Sequence, residues 1–543
     1  MFINFKHIPG STKLFLDYLD NFEKLQRFYK YNFRDKEQII DKFQKIISSP
    51  KEFRNDLSSI ISEQYNSLTP SAKTKKNISL LKNKETLAII TGQQLSLLGG
   101  PLYTFYKIIT AIKLANHLSE RYDNYNFVPL FWLEGDDHDF DEVRSINLLN
   151  ENNELVKISY NDDITQEDIN RGSVGQIKFN AGINNFLNQL EHQLKTSEFK
   201  TKIIEHLKNF YQEGKTFRDS FRELLFSFFD PYGLIIFDPQ DKRAKELLKP
   251  IFKKEIAEFR NHTESLVNIS AALEEQYHAQ VKIRPINLFY NYDEGRYLIE
   301  PVDNEFRLKG KRKKFTFEEI QSLIETEPEK FSPNVLLRPI CQDYLFPTAF
   351  YIGGPNEIAY FAQALPLYEF YDIDPAVIYP RSSATILEKT IKAILEKYDL
   401  NLTSLFTDPN KLKNQILTSI SNQNLEEIFK ASKNQVDIVF DELKEKLFGI
   451  DKTMSDVTSK YRMKVMGYFD ELYSKALEAQ KKRHEITLRQ IDKAAVSIFP
   501  NMNLQERELS FYHFANKYDL EFFKKIFDEL TINKFEHQII EIE

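Results

Sequence analysis

Seven ionisable side chains fall within nine residues of 127-FVPLFWLEGDDHDFDEV-143: Glu134, Asp136, Asp137, His138, Asp139, Asp141 and Glu142. They follow an apolar run that reads as a buried strand, ending near Trp132, the only tryptophan. Carboxylates crowded at a strand's carboxyl end raise one another's pKa or attract cations and amines. His138, flanked by acids, is expected to favour its protonated form and can serve as an acid, a base or an anion contact. One histidine among carboxylates is weak support for a metal site, so none is assigned. A solvated turn with an N-capping aspartate accounts for the same letters.

A second group lies in 91-TGQQLSLLGGPLYTFYK-107. Thr91-Gly92-Gln93-Gln94 closes an apolar run, Gly99-Gly100-Pro101 follows, and Lys107 lies inside the next helical segment. Glycines allow close backbone approach, Pro101 suits a helix's first turn, and the glutamines both donate and accept. A helix N-terminus there would favour a carboxylate or phosphate. The letters match neither a Walker loop nor GxGxxG, and a structural turn remains an equal reading.

Gly353-Gly354-Pro355 repeats the Gly-Gly-Pro and leads into Asn356 and Glu357, a second loop-to-helix site. Before it, Arg338 and Asp343 bracket a segment that reads as strand or loop, with Cys341 expected to be buried and inert. In 379-YPRSSATILEKT-390, Arg381, Ser382, Ser383 and Thr385 stand between a strand and a helix, as N-caps or as phosphate contacts. Leu504-Gln505-Glu506-Arg507 reads as a capping and packing element.

The elements that must position these groups are legible in outline. Residues 1–80 read as amphipathic helices, and 71–85 as a charged, solvated stretch. Beyond them, 86-TLAII-90, 127-FVPLFWL-133, 233-GLIIFD-238 and 376-AVIYP-380 alternate with helical segments, one near 102–120. That alternation predicts an α/β fold around a parallel sheet. Polar, irregular sequence near 139–220 and 264–330 reads as inserts, with antiparallel hairpin strands in 281–301.

No proline occurs between Pro409 and Pro500. Phe440, Leu443, Leu447, Ile450, Met454, Val457 and Tyr461 step by three and four, and Val465, Leu472, Ala479 and Ile486 repeat every seven. This heptad seam, with a stutter at 461–465, predicts a helix of about 50 residues, roughly 75 Å long. Such a helix needs a partner, either segment 411–430 in an antiparallel coiled coil or a second protomer. The predicted division is a core over 1–385, a coiled-coil domain over 386–515 and a helical segment over 516–543.

The chain has 543 residues, 42% hydrophobic and 28% charged, with 45 Phe and 27 Tyr. The length suggests two or three domains, and a net charge of -7 argues against broad nucleic-acid binding. One cysteine excludes an intrachain disulfide framework. Without a signal-peptide pattern or an apolar run long enough to span a bilayer, the expected location is the cytoplasm.

Taken in order, TGQQ…GGPLYT, FWLEGDDHDFDEV, LRPICQDYLFPTAFYIGGPNEIAYFAQ, PRSSAT and FPNMNLQER resemble the cysteine-adding ligase family of bacillithiol synthesis over essentially the whole chain. Two departures are small: Glu134-Gly135-Asp136-Asp137-His138-Asp139 where Ala-Glu-Asp-His-Asp is common, and Asn356 where Gly is common. The resemblance implies a Rossmann-like core with inserted connecting segments, distantly similar to class I aminoacyl-tRNA synthetases, and a dimerising coiled coil. The HIGH and KMSKS signatures of those synthetases are absent.

The implied reaction joins the cysteine carboxyl to the amine of glucosaminyl malate. A free carboxylate must be activated to form an amide, which brings in ATP and possible Mg²⁺, and the amine must lose its proton to attack. On that reading Thr91, Gly92, Gln93, Gln94, Gly99 and Gly100 surround a substrate or nucleotide anion. Lys107 or Arg381 stabilises negative charge in the transition state. Asp137, His138 and Asp139 bind or deprotonate the amine, with His138 as the base. Trp132, Arg338, Gly353, Gly354, Asn356, Glu357, Ser382 and Ser383 complete the binding residues. A non-catalytic coiled-coil scaffold carrying a nucleotide- or sugar-binding core is the alternative.

Overall fold

A computed structural model describes residues 1–162, 170–420 and 425–542. Parts of two sequence expectations lie outside the described residues: 163–169 of the first insert and 421–424 of the coiled-coil partner segment. The chain divides into two compact units, one of residues 1–386 with 503–540, the other of 387–502 with 541–543.

Five buried parallel strands form the centre of the first unit: β1 (Thr86–Gln94), β2 (Asn126–Glu134), β3 (Ile235–Phe237), β4 (Thr348–Gly353) and β5 (Val377–Pro380). Their spatial order is β5-β4-β1-β2-β3. The runs are apolar without alternation because strands of a parallel sheet are covered on both faces. The chain moves from β1 one way through β2 to β3, then returns to the other side of β1 for β4 and β5. A ligand crevice opens at such a reversal, beyond the carboxyl ends of the strands.

Helix α1 (Tyr103–Arg121) makes the first crossover and buries Phe105, Ile108, Ile109 and Ile112. Gly99, at φ +78°, must lack a side chain: a Cβ there would stand 2.9 Å from the Phe105 ring. The segment 71–85, read as charged and solvated, holds a helix (Ala72–Leu80) capped by Ser71, with Lys73, Lys75 and Lys76 exposed. Asn77 Nδ2 from that helix donates to the Gly233 carbonyl at 2.6 Å, docking it beside β3.

The second insert begins later than expected, because helix α2 (Lys242–Glu274) continues through position 264. It carries an antiparallel sheet in which Leu288–Tyr292 pairs with Gly295–Val302, placing the expected hairpin strands within 288–302. Residues 336–345, read as strand or loop, form helix α3 (Arg338–Leu345). After β4 comes helix α4 (Pro355–Tyr371).

The segment PRSSAT does not cap a helix. Ser383–Glu388 is a strand, β6, that pairs with β7 (His537–Ile542), which in turn pairs with Phe2–Ile3. The C-terminal segment is therefore not wholly helical: it closes a small sheet.

In the second unit the predicted single helix is two: α5 (Leu425–Phe448, 24 residues) and α6 (Met454–Arg483, 30 residues), about 36 and 45 Å long. They lie antiparallel, as Phe429 against Tyr473 (5.2 Å), Lys433 against Asp470 (2.5 Å) and Arg462 against Asp437 (2.6 Å) show. The chain reverses at Gly449–Thr453, where Asp451 Oδ1 accepts the Thr453 N–H at 2.8 Å. The apolar spacing runs on in phase through this turn, so the seam disguised it. The partner of α6 is thus 425–448, while Pro409–Ile420 packs on α7 (Glu485–Ile498). No helix among the described residues is long and apolar enough to cross a membrane.

Candidate active site

At the reversal of the sheet, a cavity of about 750 Å³ opens beyond β1, β2 and β4. Gly92, Gln93 and Gln94 end β1, Trp132 and Glu134 lie at the end of β2, Gly354 caps α4, and Asn356 and Glu357 lie in its first turn; these eight residues form its floor. The two strand ends are in register, Gly92 beside Trp132 and Gln94 beside Glu134. Gly92 permits that approach, since a Cβ would stand 2.9 Å from the Trp132 carbonyl oxygen.

Lys107 lies beneath this floor, 1% exposed. Its ammonium donates to the Gly92 carbonyl, to Gln93 Oε1 at 3.2 Å and to Glu357 Oε2 at 2.7 Å. An ammonium has three donors, and all three are used. Burial pushes its pKa down, and the Glu357 charge opposes this. Burial pushes the Glu357 carboxyl up, but Lys107, the Gly354 N–H and the Tyr351 hydroxyl outweigh it and hold the group ionised. Lys107 therefore ties the β1 loop to the β4 loop; the expectation that it meets transition-state charge directly is corrected.

The acidic loop separates its members. Asp136 turns inward and pairs with buried Lys245 at 2.6 Å. Asp139 is exposed, accepts the Glu142 N–H at 3.1 Å as an N-cap and does not line the cavity. Asp137 lines it, accepting from Gln94 Nε2 and from the His138 N–H. Glu134 accepts the Trp132 indole N–H at 3.1 Å. Burial first, then Asp136, raises the Glu134 pKa; burial, then Asp139 and Asp137, raises that of Glu142.

His138 faces the cavity but departs from the expected protonated form. Burial and then the Arg296 guanidinium depress its pKa, outweighing Asp137 and Asp139. Arg296 Nη1 stands 3.1 Å from His138 Nδ1. A guanidinium can only donate, so Nδ1 accepts and the ring proton resides on Nε2. In this tautomer neither nitrogen offers a free lone pair, an arrangement that does not fit the expected base.

Arg381 lines the cavity while its Nη2 pairs with buried Glu506 Oε1 at 2.6 Å, so its charge is already met. Ser382 Oγ donates to the Thr531 carbonyl at 2.8 Å and Ser383 Oγ to Glu506 Oε1 at 2.9 Å. These serines hold the C-terminal segment and lie away from the cavity. Thr91, fully buried, donates to the Ile352 carbonyl at 3.0 Å, and Gly99, Gly100 and Gly353 also stand off the wall. Cys341 is buried, with burial pushing its thiol far above the usual range.

Eleven expected residues thus meet at one wall: Gly92, Gln93, Gln94, Trp132, Asp137, His138, Arg338, Gly354, Asn356, Glu357 and Arg381. The sequence reading missed Tyr103, Arg284, Arg296, Lys309, Tyr351, Tyr360 and Arg507 as wall residues. Arg296 comes from the second insert, 158 positions from His138, and carries no local signal. Arg507 did carry one, in a stretch assigned to packing.

Residues 1–382 match the family described as Bacillithiol biosynthesis BshC, N-terminal Rossmann-like domain, and residues 384–542 match its C-terminal coiled-coil domain. The chain belongs to the BshC family. Two BshC relatives named "Putative cysteine ligase BshC" are similar to it over nearly their full lengths. That of Salinibacter ruber is 31% identical over 529 residues, covering 97% of this chain and 96% of that protein. That of Chloroherpeton thalassium is 32% identical over 545 residues, with the same coverage of 97% and 96%. A putative arginyl-tRNA synthetase structure from Campylobacter jejuni aligns over 86% of this chain and 100% of its own at 10% identity, with a TM-score of 0.21, too low to carry an argument. The BshC coiled-coil match runs to 542, yet 503–540 belong to the compact Rossmann-like unit. That return brings Arg507 to the cavity.

Proposed function

We propose that this BshC chain is a cytoplasmic cysteine ligase joining the cysteine carboxyl to the amine of glucosaminyl malate in bacillithiol biosynthesis. The observation that carries the reading is one cavity with two kinds of wall: carboxylates of raised proton affinity at Glu134 and Glu142, and cations at Arg284, Arg296, Lys309 and Arg338. Carboxylates of that kind hold an ammonium and accept its proton, freeing the amine to attack. The His138 Nε2–H is a donor for oxygen charge that develops on the acyl group. Guanidinium groups match carboxylate and phosphate alike; ATP with Mg²⁺, when bound, supplies the activation of the carboxyl.

An end-point mass-spectrometric assay tests this, with purified protein, cysteine and glucosaminyl malate, with and without ATP and Mg²⁺. The expected product is heavier than glucosaminyl malate by cysteine minus water. Saturable binding with no product under any of these conditions would favour the scaffold reading. In the same assay Lys107→Met is expected to lower turnover about 100-fold through displaced loops. An effect below about threefold in a folded variant would contradict the positioning role.

The chain also acts as a homodimer in this proposal. Ile438, Val439, Leu443, Tyr461 and Leu472 are exposed apolar residues along the α5–α6 hairpin, and exposed apolar surface is what a second protomer would cover. Light scattering should give twice 64.1 kDa for the wild type. Leu443→Asp with Leu472→Asp should give the monomer mass; an unchanged dimer would place the interface elsewhere.

A further inference from the structure

Buried cations in the first unit are almost all spent within the protein. Lys107 pairs with Glu357, Lys245 with Asp136 and Arg381 with Glu506. Arg54 forms no ion pair with a carboxylate among the described residues, but its guanidinium donates to the carbonyls of Leu81, Asn83, Lys84 and Thr86. Two guanidiniums are different, and both line the candidate active site.

Arg296 is 5% exposed and Arg338 is 7% exposed. Arg296 donates to Ser332 Oγ at 2.8 Å, the Pro333 carbonyl at 2.8 Å and His138 Nδ1 at 3.1 Å. Arg338 donates to Gln342 Oε1 and the Tyr360 hydroxyl, each at 3.0 Å. Every acceptor is neutral, and neither guanidinium forms an ion pair with a carboxylate among the described residues. Of five N–H donors each, about two on Arg296 and three on Arg338 remain. Both hang on one short segment, since Arg296 binds the Pro333 carbonyl and the Arg338 N–H binds the Asn334 carbonyl at 2.9 Å. The Arg296 plane lies 3.8 Å over the Phe289 ring, which fixes where its edge points. Glu134 acts on both guanidiniums, and Asp136 and Asp137 on Arg296, only from beyond ion-pair distance, and buried charge is costly unless met closely by an opposite charge.

We infer that Arg296 and Arg338 form an oxyanion subsite that takes a carboxylate or phosphoryl group of the ligand. This deepens the ligase reading and rests on it for the ligand's identity. The anion could come from a carboxylate substrate or from a nucleotide, and the cavity-lining Trp132 allows both to be read without turnover.

The test is a fluorescence titration of the full chain with L-malate and, separately, inorganic pyrophosphate, at low and high salt. Saturable, salt-sensitive binding is expected, weakened at least tenfold in Arg338→Gln and in Arg296→Gln and partly restored in Arg338→Lys. Loss for malate alone assigns the subsite to a carboxylate substrate, and loss for pyrophosphate alone to a phosphoryl group. Should one Gln variant misfold by circular dichroism, the other and Arg338→Lys give the reading. Unchanged binding of both anions in a folded variant, or no saturable binding by the wild type, overturns the subsite. Anion binding in a protein without ligase activity would leave the subsite standing and remove the ligase.

Discussion

Glu506→Ala is expected to cost the Rossmann-like unit about 3–5 kcal/mol, the usual effect of removing one partner from a buried ion pair. Urea unfolding followed by Trp132, the chain's only tryptophan, reads that unit directly. Glu506 is fully buried and accepts from Arg381 Nη2, Ser383 Oγ and the Ala384 N–H. Its loss strands the Arg381 guanidinium beside the cavity and unties the segment that delivers Arg507. A cost under about 1 kcal/mol would show that the pair is not load-sharing in this way.

Acid should probe the same cluster. Burial pushes the Glu506 carboxyl up, but Arg381, His537 and its hydrogen bonds prevail and hold it below its ordinary value. The stability it adds is present above the unfolded pKa and is lost as pH falls through the folded one. His537 is fully buried and pushed down by burial to about 4. The unfolded imidazole takes its proton near pH 6.5, so its contribution is complete above about 6.5 and declines toward 4, roughly 3 kcal/mol in all. Buried His513, also pushed down by burial, adds to the slope. His537→Gln should remove its share of the slope, and an unaltered slope would rule out that assignment.

The second large effect concerns His138. His138→Ala is expected to lower turnover about 10²- to 10³-fold, the cost of losing one donor to developing oxygen charge. His138→Gln should stay within about tenfold of wild type, because the glutamine amide can place an N–H near the position of Nε2 and cannot act as a base. The discriminating fact is the Arg296 contact on Nδ1, which occupies the lone pair that a base would need. Steady-state rates of both variants across pH 5–8 decide it. Equal loss in Gln and Ala would return His138 to the role of base.

How much of this was legible beforehand differs by element. The runs 86–90, 127–133 and 233–238 announced buried strands because a parallel sheet covered on both faces leaves no polar side. The loops after β1, β2 and β4 stood out because glycines, amides and acids follow apolar runs there. What failed was the assignment of roles within those loops. Lys107, Arg381 and Asp136 are charged residues beside a cavity, and each is spent on a protein partner distant in sequence, Glu357, Glu506 and Lys245. The heptad seam failed for another reason: the apolar period ran through the Gly449–Thr453 turn unbroken.

The sequence by itself determined the sheet strands, the presence of inserts, the helical character of the region after 386 and the polar loops at the strand ends, since these follow from local periodicity and turn chemistry. Only the tertiary structure decided the protonation of His138, the silence of Lys107 and the exposure of Arg296 and Arg338 to a common cavity. Those depend on which charges meet after folding, and a Coulomb interaction is set by distance in space and by burial, neither of which sequence separation records.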